Sequence, residues 1–331
     1  MTALIPLTLA CGDYDRTRAI KDGRVPVEGC AVTYLPLEPE EIFHRAFKHQ
    51  EFDVCELSFS SYLRTVDAGT SPYTGIPAFV SRIFRHSGIY IRTDRGIRTP
   101  QDLRGRLIGL PEYQITAVVW LRGLMQDEYG VKPTDIRWRQ GGIEEPGRTE
   151  RTPLKPIPGL DLKPVPAGKT LSGMLEEGEL DAVFSARAPS CFSRGAANVG
   201  RLFPDYRSVE KEYYRKTGMF PIMHLMGIKR EIAQAHPWLP ASLYKAFCHA
   251  KAYAMHDVMD VNALQITLPW LVAEAEESAK LMGADFWRYG VHENAAEIEA
   301  LTRYSHEQGL VQRKLRVEDL FPASVIEVSK I

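Results

Sequence analysis

Four arginines, two histidines and two glutamates carry most of the chemistry this chain could do. Arg16, Arg82, Arg85 and Arg187 fall at the ends of apolar runs or in the polar loops after them, and a guanidinium can grip a carboxylate through two parallel hydrogen bonds. Salt bridges at the surface or between lobes would explain each arginine taken alone; their convergence on one expected edge favours an anion site. His86 and His224 can serve as acid, base or metal ligand near neutral pH, and a core histidine with a satisfied hydrogen bond is the plainer alternative for either. Glu56 and Glu112 are the carboxylates best placed to relay a proton. Two histidines and a carboxylate also make a ligand set, so a divalent metal, were one used, would fall to His86, His224 and Glu56; nothing in the sequence requires a cofactor. Tyr14, Ser58, Ser60, Tyr113, Gln114 and Thr116 offer hydrogen bonds to hydroxyls or carboxylate oxygens, and for Thr116 an N-cap role serves equally well. His44, His49, His249 and His256 fall on helices without a partner pattern and read as solvated faces.

These residues need elements to hold them. Leu7 to Ala10 reads as a first strand running into the polar loop Cys11 to Arg16, Ala31 to Leu35 as a second strand, Pro39 to Phe47 as a helix, and Phe52 to Leu57 as a third strand ending in Ser58 to Tyr62. That β-α-β order predicts a parallel sheet, with ligands gathered beyond the carboxyl ends of its strands. Further on, Leu107 to Leu110 reads as a buried strand and Pro111 to Gln114 as a turn. Ile115, Val118, Val119, Leu121, Leu124 and Met125 then have helical spacing, with Gly130 as the stop. The unpaired N–H groups at such a junction suit a carboxylate or phosphate. Phe84 to Arg92 and Phe220 to Ile228 read as strands on which the chain crosses between two lobes, bringing His86 and His224 together at a hinge with ligand between the lobes. The expected lobes are 1–91 with 222–331, and 92–221. Within the second, 141–168 is rich in proline and reads as a long surface loop or an arm over a partner subunit or the cleft. Helices are expected over Thr170 to Glu177, from Pro237 onward, around Trp270 to Met282 and over Ala295 to Gln308, with a strand at Leu180 to Phe184.

Composition sets limits. With 331 residues, 44% of them hydrophobic, two cores can be buried. The formal net charge of -1 gives no field towards nucleic acid or an anionic membrane. No run of about 18 apolar residues suggests a membrane span. The amino-terminal MTALIPLTLACGDYDR lacks a basic n-region, so a secretion leader is not expected and a cytoplasmic location is. Five cysteines without a C-x-x-C spacing argue against a disulfide framework or structural zinc. No nucleotide-binding glycine pattern, nucleophile elbow or H-E-x-x-H occurs.

The order of pieces resembles the type II periplasmic-binding-protein architecture, and more closely its enzyme branch, the 4,5-dihydroxyphthalate decarboxylase family. The resemblance rests on R-T-P-x-D-L-R-G-x-x-I-G and on blocks at Leu9 to Val25, Phe52 to Leu63, Ser81 to Ser87, Leu110 to Ala117, Gly141 to Glu150, Ser185 to Pro189 and Phe220 to His224. Together they run from the first strand to the second hinge, about two thirds of the chain. The implied fold is two-lobed α/β, each lobe a mixed, mainly parallel sheet flanked by helices, with a cleft between. The implied activity is non-oxidative conversion of 4,5-dihydroxyphthalate to 3,4-dihydroxybenzoate and CO2 in phthalate breakdown, with a small aromatic carboxylate as partner and a homo-oligomer expected. A solute-binding protein for an aromatic carboxylate, or another cytoplasmic enzyme of this fold, are the alternatives. Decarboxylation would need cations for two carboxylates, a base for the phenol and an acid aimed at the ipso carbon. The tightest arginine should hold the carboxylate that stays, since gripping the departing one would stabilise the ground state. Glu144, Glu145 and Arg148 share a block with the family, where a closing loop and a subunit contact are equally compatible with the sequence.

Overall fold

The computed structural model describes residues 3–150 and 152–328. Contacts divide the chain into two units, the first made of Met1–Arg82, Thr217–Glu299 and Leu315–Ile331, the second of Ile83–Lys216 and Ala300–Lys314. The crossings thus fall at 82/83 and 216/217, earlier than the expected 91/92 and 221/222. The return of 300–314 to the second unit has a packing cause: the Tyr304 ring occupies the space a Cβ on Gly123 would need and meets Trp120 edge-on. Gln308 donates to Val119 O and accepts from Arg122 Nε in the same unit.

The first unit is built on strands β1 (Ile5–Cys11), β2 (Cys30–Pro36), β3 (Val54–Ser58) and β4 (Tyr73–Arg82), completed by a late strand, Ile222–Lys229. The order across the sheet is β2, β1, β3, the late strand and β4; β1 pairs in parallel with β2 and β3, and the late strand runs antiparallel to β3 and β4. The helix Pro39–His49 begins as expected, with Pro at the first turn beside Glu40 and Glu41, turns Ile42, Phe43 and Ala46 inward, and ends at Gln50 in the left-handed region. All five residues of β3 are buried, so Glu56 lies inside the sheet layer. The long helix Leu239–Met259 packs on the helix Asp15–Lys21.

The second unit holds β5 (Ile89–Arg92), β6 (Leu107–Leu110), β7 (Arg137–Gln140), β8 (Asp161–Pro164), β9 (Ala182–Phe184) and β10 (Val199–Arg201), the late strand of the first unit being β11. Their order is β10, β5, β9, β6, β7, β8, with parallel pairing from β9 through β8 and antiparallel pairing of β5 with β9 and β10. Three expectations need correction. The strand expected from Phe84 begins only at Ile89, because His86–Gly88 closes a 3-10 turn through Gly88 N–H to Arg85 O. The proline-rich stretch contains a strand: β8 lies at the sheet edge, where its terminal Pro164 is tolerated. Thr116 is the first residue of the helix Thr116–Tyr129 and Ile115 holds the cap position, so Thr116 is not the N-cap.

Candidate active site

The chemistry-bearing residues of the first unit collect where β1 and β3 end side by side. Register places Met226 of β11 opposite Glu56 and His224 opposite Ser58, so Glu56 and His224 share one sheet face as diagonal neighbours. Glu56 is fully buried, and its carboxylate has four polar partners. Oε2 accepts from Gly12 N–H at 2.9 Å and from the Cys11 thiol at 3.6 Å; Oε1 accepts from Tyr14 Oη at 2.9 Å and stands 2.6 Å from His224 Nδ1. Burial pushes the carboxyl up, but the hydrogen bond and charge of His224, with the Gly12 and Tyr14 donors, outweigh it and hold Glu56 below the usual carboxylate range. Beside that carboxylate the Cys11 thiol and the Tyr14 phenol are both held well above their ordinary values, burial first and the Glu56 charge second.

An ionised Glu56 fixes the proton of His224 on Nδ1. The other ring nitrogen, Nε2, makes no hydrogen bond among the described residues, and the side chain is 19% exposed. Phe43 meets the imidazole edge-on at 4.8 Å and limits its tilt. The outcome is an oriented acid-base group with one nitrogen to spare. Gly12 is required by close approach, since a Cβ there would stand 2.5 Å from the Tyr14 ring.

Arg16 is held beside this pair. Its guanidinium lies between the Tyr14 and Trp287 rings, 4.2 Å from each centroid, while Nε donates to Val80 O at 2.6 Å and Nη1 to Asp15 at 3.1 Å. Nη2 has no hydrogen bond among the described residues, so the guanidinium is held in place by the two rings, Val80 and Asp15 with one nitrogen uncommitted. Ser58, another first-unit candidate, is buried and accepts from Ser61 Oγ at 3.3 Å. Arg82 is placed differently: its side chain is fully buried beside the Phe79 and Phe220 rings, bonded to Asn294 and 3.7 Å from Glu297. Burial lowers its guanidinium to about 10.

The second unit carries the other candidates. Glu112 is clamped by Arg148, whose Nε and Nη2 donate to Oε1 at 3.0 and 2.7 Å. The N–H groups of Tyr113 and Gln114, expected to receive an external anion, donate to the chain's own Glu150, which also accepts from Gln114 Nε2 at 2.9 Å. Burial, helped by the nearby Glu112, raises the Glu150 carboxyl. Glu144 accepts from Ser190 N–H and Oγ at 2.7 and 2.6 Å, so Glu144, Arg148 and Glu150 tie this segment to its own unit. His86 is buried with its ring edge-on to Phe203 and Tyr213 and its Nδ1 3.7 Å from Glu210. Arg85 is lowered to about 10 by burial, against the pull of Glu210, and Arg187 is exposed, its N–H donating to Ser185 Oγ. The expected ligand set of His86, His224 and Glu56 divides between the units, and among the described residues no group of three His, Cys, Asp or Glu side chains is placed to hold a metal ion.

Several residues of these clusters were not singled out from sequence. Trp287 and Tyr289 lie far from β1 in the chain. Tyr289 is buried with its hydroxyl unpaired among the described residues, and burial raises it against the opposing charge of Arg16. Arg122 sits fully buried in an apolar helix, 3.6 Å from the Tyr113 ring centroid and bonded to Tyr113 O. An arginine inside the run VVWLRGLM was the available signal.

Sheet order and strand directions define a two-unit α/β protein of the type II periplasmic-binding-protein kind, and solved structures agree. The alkanesulfonate-binding protein SsuA from Xanthomonas axonopodis pv. citri superposes with a TM-score of 0.51 at 12% identity, over 97% of this chain and 99% of that one. The putative periplasmic sulfonate-binding protein SsuA from Methylobacillus flagellatus KT does so with 0.56 at 11%, over 99% and 94%. No protein-family model matches the chain. The sequence carries the relationship further: the chain is 46% identical over 327 residues, 99% of each protein, to 4,5-dihydroxyphthalate decarboxylase of Comamonas testosteroni. It is 48% identical over 209 residues, 63% of this chain and 81% of the relative, to the Pseudomonas putida protein of that name. The chain belongs to the 4,5-dihydroxyphthalate decarboxylase family, whose members are carboxy-lyases.

Proposed function

We infer that this chain decarboxylates 4,5-dihydroxyphthalate to 3,4-dihydroxybenzoate and CO2 without an oxidant, as a step in aromatic-acid breakdown of the phthalate type. The observation that carries the reading is the full-length relationship at 46% identity to a protein of that name. A cytoplasmic place of action accords with relatives that are named as enzymes. In the mechanism we favour, Arg16 holds the carboxylate that remains on the ring. The hydroxyl para to the departing carboxylate loses its proton to solvent and pushes electrons to the ipso carbon, and His224, whose free Nε2 first takes up a proton from solvent while Nδ1–H stays on Glu56, delivers that Nε2 proton there. The ring–carboxylate bond then breaks, its electron pair returns to the ring, and CO2 leaves. Glu56 stays ionised throughout, orients the imidazole through Nδ1 and stabilises its charged form, the role a buried carboxylate plays beside a catalytic histidine. We assign the proton to His224 and a packing role to His86, because the Nε2 of His224 is unengaged on a side chain that is 19% exposed while His86 is enclosed by aromatic rings.

The test is to incubate purified protein with 4,5-dihydroxyphthalate, with and without chelator, and to follow 3,4-dihydroxybenzoate by chromatography. Product in either sample supports the decarboxylase. Tight binding with no product in both would instead establish a solute-binding protein.

A further inference from the structure

We propose that the segment Val261–Trp270 and a groove beside the helix Leu239–Met259, both in the first unit, form a self-association surface in which each copy of this chain lays its segment in the other copy's groove. All ten residues of 261–270 are exposed, none is charged, and five are large and apolar. Val261 and Trp270 are 75% and 73% exposed. Single exposed apolar side chains are ordinary, but a continuous run of this kind marks a surface that expects cover.

The groove is about 730 Å³ and lies between the turn after the helix Asp15–Lys21 and the outer face of the long helix, with Val25 and Ala246 among its apolar lining and the Tyr253 ring beside them. Arg24, Lys245 and His249 also line it, with Glu28 as its one acid. Directly after the uncharged segment, the helix Leu271–Met282 exposes Glu274, Glu276 and Glu277. An apolar segment followed by acids therefore matches an apolar groove bordered by bases. The groove follows the helix from Ser242 to His256, roughly 21 Å at 1.5 Å per residue, which takes about six of the segment's ten residues when they extend at about 3.3 Å each. In the chain itself the segment is in solvent and the groove is open, so the segment does not fill the groove of its own copy. A patch that carries both halves of a complementary pair is self-complementary about a two-fold axis, which is why the occupant assigned here is a second copy of this chain.

Sedimentation velocity over about 1 to 100 µM protein reads the association constant directly. The wild type is expected to dimerise. Leu264→Ser with Trp270→Ser, and separately Arg24→Glu with Lys245→Glu, should each weaken the dimer by about tenfold or more with unchanged circular dichroism, since all four side chains are exposed. Mixing the two variants should restore association, because one segment–groove pair survives only in the mixed dimer. A wild type that stays monomeric, a dimer indifferent to either variant, or a mixture no stronger than its components would each overturn the proposal.

Discussion

A glutamate in the middle of a fully buried strand must find its hydrogen bonds from protein, because an unpaired buried carboxylate is destabilising by several kcal/mol. Glu56 finds them in Gly12, Tyr14 and His224. Its carboxyl is held below its unfolded value of about 4.3, and the linkage follows from that sign: the group's stabilisation is fully present above that value and lost as pH falls through the lower folded value. Denaturation between about pH 6 and pH 2 should therefore show a steep acid limb, which Glu56→Gln flattens while lowering stability near neutrality. An unchanged slope in that variant would mean Glu56 is not the ionised acceptor described. Both partners are legible as candidates in the sequence, grouped only in a ligand set that also holds His86; their direct pairing is not legible there, since 168 residues separate them. Only strand register makes them neighbours.

At the scale of elements, the first three strands and the helix after β2 could be read from β-α-β periodicity, and the helix ending at Gly130 from its apolar spacing. The anion site expected at the turn before that helix has the right donors, and the chain fills it with Glu150. That could not be foreseen, because Glu150 lies 37 residues from Tyr113 in a stretch whose prolines hide a short edge strand. β4 escaped because its glycine and proline, in YTGIPAFVSR, break the usual strand pattern. Glu150→Ala would leave the buried Tyr113 N–H without its acceptor and should destabilise the protein by about 1 to 3 kcal/mol. Glu150→Gln keeps an acceptor and should lose less. Equal losses in chemical denaturation would contradict the hydrogen-bond account.

For the whole molecule, a net charge of -1 supplies no long-range attraction for a dianionic substrate. In the proposed mechanism capture rests on local cations such as Arg16, whose reach is a Debye length of about 8 Å at physiological salt. Raising salt from about 50 to 200 mM should lower kcat/KM by less than about tenfold, and Arg16→Gln should remove most of that dependence. A steep salt dependence that survives Arg16→Gln would place the substrate cation elsewhere. The two-unit organisation was legible in the order of elements. The return of 300–314 to the second unit was not, because it depends on one aromatic ring filling the space above one glycine. The account as a whole turns on His224 as the group that protonates the ring. The measurement that tests this most directly is to compare His224→Gln with the wild type for both 4,5-dihydroxyphthalate affinity by calorimetry and single-turnover product formation. Affinity within a few fold and turnover reduced by about 10² to 10⁴ are predicted, the range for losing a general acid; near-normal turnover in that variant would contradict the account.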